Sequence, residues 1–201
     1  MTTGPTIGVL AVQGDVREHL RALSDVGAVA VPVGDPDELA AVRGLVIPGG
    51  ESTTISKLIV RDGLLAPLRA ARADGMPMYG SCAGMIMLAD DVLDGRPDHE
   101  GIGGLAVTVR RNAFGRQVDS FEASVSVQGL EGPDFPAVFI RAPWVESAGE
   151  QVDVLARIER GAVDSIVAVR QGALLATSFH PELTGDHRIH EMFLSIVRQV
   201  S

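Results

Sequence analysis

The chain has one cysteine, Cys82, and one lysine, Lys57, in 201 residues. A lone cysteine excludes an internal disulfide and any zinc site built on several thiolates. Acidic residues outnumber basic ones 26 to 17, for a formal net charge of −9. No Lys/Arg-rich run interrupts that balance, so the electrostatic footprint of a nucleic-acid-binding protein is missing. No apolar stretch approaches the roughly 20 residues that a membrane span requires. The start, Met1-Thr2-Thr3-Gly4-Pro5, lacks the basic and long apolar regions of a signal peptide. The cytoplasm is the expected compartment. Repeats, low-complexity tracts and Ser/Gly-rich linkers are also missing, so one domain spanning 1–201 is expected.

What is present describes a well-filled core: 46% of residues are hydrophobic and 21% charged. A chain of this length buries roughly 70% of the surface its unfolded form exposes. Residues 7–12 form a short, apolar, β-branched run that reads as a buried strand. A helical pattern follows, with Val16, Leu20, Leu23 and Val26 on one face and Gly27 closing it. Strands are expected at 28–33, 45–47 and 76–79, and helices at 53–60, 65–73 and 83–89. Alternating helices and doubly apolar strands argue for a parallel sheet covered on both faces. From residue 105 the pattern changes to short strand-like runs at 105–109, 121–127, 138–140, 152–158, 166–169 and 174–179. A final amphipathic helix is expected at 188–200, with Ile189, Phe193, Ile196 and Val197 on one side. The reading is an α/β sheet carrying added antiparallel strands.

The sharpest local signal is Gly80-Ser81-Cys82-Ala83-Gly84, between an expected strand and an apolar helix. This is the context of the G-x-S-x-G nucleophile elbow, with cysteine in place of serine. A helix N-terminus aimed at Cys82 would favour thiolate over thiol. Taken by itself, an isolated cysteine is more simply a small buried hydrophobe; the two glycines and the strand–helix setting tip the reading toward a nucleophile.

A cysteine nucleophile needs a base, and His180 in Ser178-Phe179-His180-Pro181-Glu182 ends a late apolar strand. In a parallel sheet that strand end lies on the same carboxyl edge as the elbow. Glu182 can orient the imidazole, because residues i and i+2 of an extended segment share a side. His19, His99, His187 and His190 read as structural or surface histidines. The segment Pro48-Gly49-Gly50-Glu51-Ser52-Thr53-Thr54 joins a strand to a helix. Its glycines let backbone N–H groups approach a developing oxyanion. It also reads as an ordinary loop with Ser52 or Thr53 as N-cap, and no Walker lysine follows Gly50 to bind phosphate.

These residues resemble the class I (triad) glutamine amidotransferases, and within them the glutaminase subunits of pyridoxal 5′-phosphate synthase. The resemblance adds the segments Val12-Gln13-Gly14-Asp15-Val16-Arg17-Glu18-His19, Arg111 to Glu122, Phe139-Ile140-Arg141-Ala142-Pro143 and Ser178 to Thr184. It covers essentially the whole chain. It implies a flavodoxin-like three-layer α/β sandwich, its mostly parallel central sheet extended by antiparallel strands. It also implies that Cys82 attacks the side-chain amide of L-glutamine, with His180 as acid and base and Glu182 orienting it. Gly50 and Ala83 would supply the oxyanion hole; Gly50, Glu51, Ser52, Arg111, Ile140 and Arg141 would contact glutamine. Arginine suits the α-carboxylate because its planar fork binds carboxylates bidentately. No metal or cofactor is required for the hydrolysis. The implied partner is the synthase subunit, which takes up the ammonia and activates the glutaminase on docking near Gln13-Gly14. Two other readings stay open: an amidotransferase or elbow hydrolase serving another acceptor, and a catalytically silent binding module.

Overall fold

In a computed structural model, residues 4–111, 120–160 and 163–200 are described. Most of the segment from Arg111 to Glu122, residues 112–119, lies outside them. The first half alternates β1 (Thr6–Leu10), α1 (Val16–Asp25), β2 (Val29–Val33), α2 (Pro36–Ala40), β3 (Leu45–Ile47), α3 (Ser52–Arg61), α4 (Leu65–Ala73), β4 (Met78–Ser81) and α5 (Ala83–Leu88). Strands dominate thereafter: β5 (Ala89–Leu93), β6 (Leu105–Arg110), β7 (Ser120–Val125), β8 (Phe135–Ile140), β9 (Trp144–Ala148), β10 (Asp153–Arg160), β11 (Val163–Gln171) and β12 (Leu174–Thr177). A 3-10 turn (Pro181–Leu183) and α6 (Arg188–Val200) follow.

The main sheet runs β2-β1-β3-β4-β12-β11-β9-β6-β5, with β10 also paired to β11; β7 and β8 form a separate antiparallel ribbon. From β2 to β12 every ladder is parallel. The ladders joining β12 to β11, β11 to β9 and β9 to β6 are antiparallel, and β5 lies parallel to β6. The expected parallel core with antiparallel additions is the observed arrangement. Helices cover both faces, as the doubly apolar strands require.

Alternation along the strands assigns each side chain to a face. Leu10, Leu45, Ile47, Met78, Leu174 and Ala176 pack with Ile55, Ile59, Leu68 and Ile86 of α3, α4 and α5. Ile7, Val9, Val46, Tyr79 and Leu175 pack on the other face with Leu23 of α1 and Ile189, Phe193, Ile196 and Val197 of α6. Each fully buried aliphatic or phenyl side chain contributes about 1.5–3 kcal/mol. No helix among the described residues is long and apolar enough to cross a membrane.

The structure corrects several expectations. The fourth strand lies two residues later than 76–79, so it runs directly into the elbow. The N-cap of α3 is Glu51, whose carboxylate accepts from the N–H groups of Thr53 (3.2 Å) and Thr54 (2.7 Å), rather than Ser52 or Thr53. A charged acceptor at a helix N-terminus gains from the dipole as well as the hydrogen bonds. Residues 180–182 are not extended: Pro181, with its fixed φ, starts the 3-10 turn.

Candidate active site

β4 and β12 are parallel neighbours, with Ser81 opposite Thr177, so their carboxyl ends deliver Cys82 and His180 to one edge. The N–H of Cys82 donates to the Thr177 carbonyl at 2.8 Å, and its backbone stands at φ 49°, ψ −101°. This conformation is strained for a residue with a Cβ and is held by its surroundings. The helix begins immediately, and a Cβ on Gly84 would collide with the Ile47 carbonyl of β3. Glycine therefore lets α5 lie close enough to the sheet to turn the chain at Cys82. Cys82 is 6% exposed, and its Sγ lies 3.8 Å from the Ile140 carbonyl.

His180 is anchored by its own N–H donating to the Val138 carbonyl at 2.8 Å. Its Nδ1 lies 2.7 Å from Glu182 Oε1 and 3.4 Å from Asp15 Oδ2. Burial works against the charged imidazolium, but hydrogen bonds with Asp15, Cys82 and Glu182 outweigh it and push the His180 pKa up to about 12. Burial opposes the charge on Glu182 too. The fields of His19 and His180 and their hydrogen bonds nevertheless hold that carboxyl well below its usual range. Glu182 is thus a buried anion with a histidine on each side.

Behind Glu182 lies a layer that the sequence did not reveal. Oε2 of Glu182 is 3.4 Å from Nε2 of His19, and the Ser81 hydroxyl donates to Oε2 at 3.2 Å. Nδ1 of His19 is 3.0 Å from Nε2 of His190, and both histidines are fully buried. Tyr79 meets both rings edge-on, with centroids 6.1 Å apart in each case. The available signal was helical spacing: His19, three after Val16 and four before Leu23, belongs to the inward face of α1.

The loop after β3 passes beside this pair. A Cβ at Gly49 would collide with the His180 ring, so a side chain there would displace the base. Glu51 N–H donates to Gln13 Oε1 at 2.8 Å, and Asp15 N–H donates to the Gly49 carbonyl at 3.1 Å. These bonds clasp the loop after β1 to the loop after β3. Together the elements enclose a cleft of about 360 Å³ lined by Cys82, Ala83, His180, Gly50, Glu51, Ser52, Arg111, Ile140 and Arg141, with Gln13, Asp15, Ile86 and Pro143. Every candidate site residue lines it except Glu182, which stands behind His180. Arg111 donates to Glu51 Oε1 at 3.1 Å, and Arg141 holds a positive φ of 43°. The Ser52 hydroxyl is buried with no hydrogen-bond partner among the described residues. Larger depressions of about 620 and 800 Å³ contain neither Cys82 nor His180. Chemistry, not size, marks the site.

Asp15, His180 and Glu182 also present ligand-type atoms within 4.8 Å of one another. The 2.7 Å between His180 Nδ1 and Glu182 Oε1 is a hydrogen-bond distance. Two ligands held by 2.0–2.1 Å bonds on a tetrahedral metal stand about 3.3 Å apart. The geometry is that of a shared proton.

A Cys–His–Glu group on an α/β elbow defines the class as nucleophilic hydrolases and acyl transferases. Residues 9–199 match the model of the SNO glutamine amidotransferase family, and the chain belongs to that family. Its relatives include the pyridoxal 5′-phosphate synthase subunits PdxT of Frankia alni (64% identical) and Streptomyces coelicolor (63% identical). Each alignment covers 98% of this chain and 96% of the relative. A crystal structure of a glutamine amidotransferase superposes with a TM-score of 0.88 at 47% identity, covering 96% of this chain and 98% of that one. A chain of PurLQS from Thermotoga maritima, 16% identical with a TM-score of 0.65 and covered in full, shares the fold.

Proposed function

We infer that the chain is the glutaminase subunit of a pyridoxal 5′-phosphate synthase, releasing ammonia from L-glutamine for a synthase partner. The observation that carries the chemistry is the convergence of Cys82, His180 and Glu182 at one sheet edge, with Nδ1 of His180 2.7 Å from the buried Glu182. Support for the pathway is the name carried by the relatives at 63–64% identity over nearly their full lengths.

The substrate amide carbon is attacked by Cys82 Sγ, whose proton His180 already holds as the imidazolium that its raised pKa favours. Charge developing on the amide oxygen is met, in this reading, by the backbone N–H groups of Gly50 and Ala83, two residues that line the cleft. The imidazolium then protonates the departing nitrogen, ammonia leaves, and a glutamyl thioester remains on Cys82. Water, deprotonated by His180, hydrolyses the thioester to glutamate and returns the thiol. Glu182 stays ionised throughout and stabilises each imidazolium. Arg111 or Arg141 takes the α-carboxylate through a bidentate fork. A lone thiol nucleophile with no disulfide partner suits a compartment where thiols stay reduced, and the cytoplasm is the one we assign.

The test is glutamate release by the full chain, measured first without a partner and then with a pyridoxal 5′-phosphate synthase subunit. Cys82→Ala is expected to remove all release, and the partner to stimulate the unaltered chain while pyridoxal 5′-phosphate accumulates. Release surviving Cys82→Ala would overturn the chemistry. Activity indifferent to the partner would overturn the pathway assignment.

A further inference from the structure

We propose that His19 is a positioning residue for glutamine hydrolysis: from α1 it holds the second oxygen of Glu182, so that the first stays aimed at His180. This rests on the roles of Cys82, His180 and Glu182 given above. Glu182 Oε1 serves His180, and without a second anchor the carboxylate can rotate about its terminal torsion, which is broad for Glu. Ser81 donates to Oε2 at 3.2 Å but also lies 3.4 Å from Oε1, so it cannot choose between the oxygens. His19 Nε2 lies 3.4 Å from Oε2 with both side chains fully buried; the angle falls short of a hydrogen bond, so this ion-pair contact with Glu182 is what Nε2 has among the described residues.

The donor and acceptor roles behind Glu182 follow once His19 Nε2 carries the hydrogen that faces the carboxylate. For His19 to present Nε2–H to the carboxylate while neutral, its Nδ1 must be an acceptor. His190 Nε2 lies 3.0 Å from that Nδ1 and supplies the donor. His190 Nδ1 is then a bare lone pair, and it is buried without a partner among the described residues. An unpaired acceptor there is consistent with a neutral ring, and burial, the largest cause, lowers the His190 pKa to about 3. Each donor in the series His190, His19, Glu182 thus points toward the anion. His180 approaches the same carboxylate from the cleft side. Tyr79 packs edge-on against both buried rings and restricts their tilt.

The placement on α1 has a second consequence. That helix starts directly after Gln13-Gly14-Asp15, whose Gln13 and Asp15 line the cleft, so one rigid element fixes both a cleft wall and the orienter of Glu182.

The experiment compares His19→Gln with His19→Asn in the glutaminase assay of the full chain with its synthase partner. A glutamine amide nitrogen reaches the place of Nε2; an asparagine amide stops at the place of Nδ1. Both are polar and of similar bulk, so a packing role would treat them alike. Expected for His19→Asn is a fall in kcat of about tenfold or more, up to the 10²–10⁴ that general acid–base catalysis supplies, with KM unchanged within twofold. Expected for His19→Gln is a kcat within about threefold of the unaltered chain. Equal loss in both, or loss in neither, overturns the positioning role. A loss expressed in KM overturns it as well. If His19→Asn does not fold, His190→Leu takes its place: it removes the donor that fixes the His19 tautomer, and unchanged kcat there overturns the proposal. Cys82→Ala, run beside them, separates this outcome from failure of the underlying reading, since residual release in that variant condemns the nucleophile and not His19.

Discussion

Asp15 Oδ2 lies 3.4 Å from His180 Nδ1, the ring nitrogen that Glu182 already engages at 2.7 Å. Two carboxylates compete for one N–H, and distance and burial separate their roles. Glu182 is 7% exposed, whereas the Asp15 side chain is 37% exposed and meets water at the cleft. Glu182→Gln is expected to lower kcat by about 10²–10⁴, the range associated with general acid–base catalysis. Asp15→Asn is expected to stay within about fivefold, because a partly exposed ion pair contributes only about 0–1 kcal/mol. Steady-state glutamate release from the two variants checks the ranking.

Stability should peak near pH 6.5. His180, raised from 6.5 to about 12, stabilises the fold fully below 6.5 and progressively less as pH rises toward 12. His190, lowered from 6.5 to about 3, acts in the opposite sense: its neutral burial loses ground as pH falls from 6.5 to 3. Glu182, lowered from 4.5, adds to that acid-side loss below 4.5. Melting temperature followed against pH tests this. His180→Asn is expected to flatten the alkaline arm and His190→Leu the upper part of the acid arm, and coincident curves for all three proteins would refute it.

Gly84→Ala is expected to destabilise the chain by about 1–3 kcal/mol, the usual penalty of overpacking. The added methyl has a backbone carbonyl of β3 as its neighbour, not a side chain able to swing aside. Urea unfolding monitored by circular dichroism measures it, with an unchanged slope expected.

Arg111 is expected to act on substrate affinity. Arg111→Lys should raise the KM for glutamine about tenfold, equivalent to about 1.4 kcal/mol, with a smaller change in kcat. A lysine keeps the charge but loses the planar fork. Its Glu51 contact can be re-formed by either residue, so melting temperature should hardly move. Equal KM values would assign the α-carboxylate to Arg141 instead.

The central parallel strands β1, β3 and β12 were legible in the sequence because burial on both faces leaves them largely apolar: residues 45–47 needed no more than Leu-Val-Ile. β5 and β9 were not. Ala-Asp-Asp-Val-Leu is an edge strand whose acidic residues face water, and Trp-Val-Glu-Ser-Ala begins one residue after a proline and alternates too little to register. The five-residue α2, capped by Asp35 before Pro36, is shorter than a helical period pattern can reveal and was not expected from the sequence. Cys82, His180 and Gly50 were readable because a cysteine, glycines and a proline punctuate the chain at the turns that carry them, whereas Arg111, Ile140 and Arg141 came only from the family resemblance. His19 was not, since its meaning comes from His190, 171 positions away, and from a carboxylate on another element.

Gly49 packs so closely on the His180 ring that backbone and base share one boundary. Seen as machinery, the strand-to-helix loop and the imidazole form a single gear. The loop can change its setting only in ways the ring tolerates, and a redesigned base of larger outline would have to carry the loop with it. Variation in this protein should therefore be sought in linked pairs of changes across that boundary rather than at either side alone.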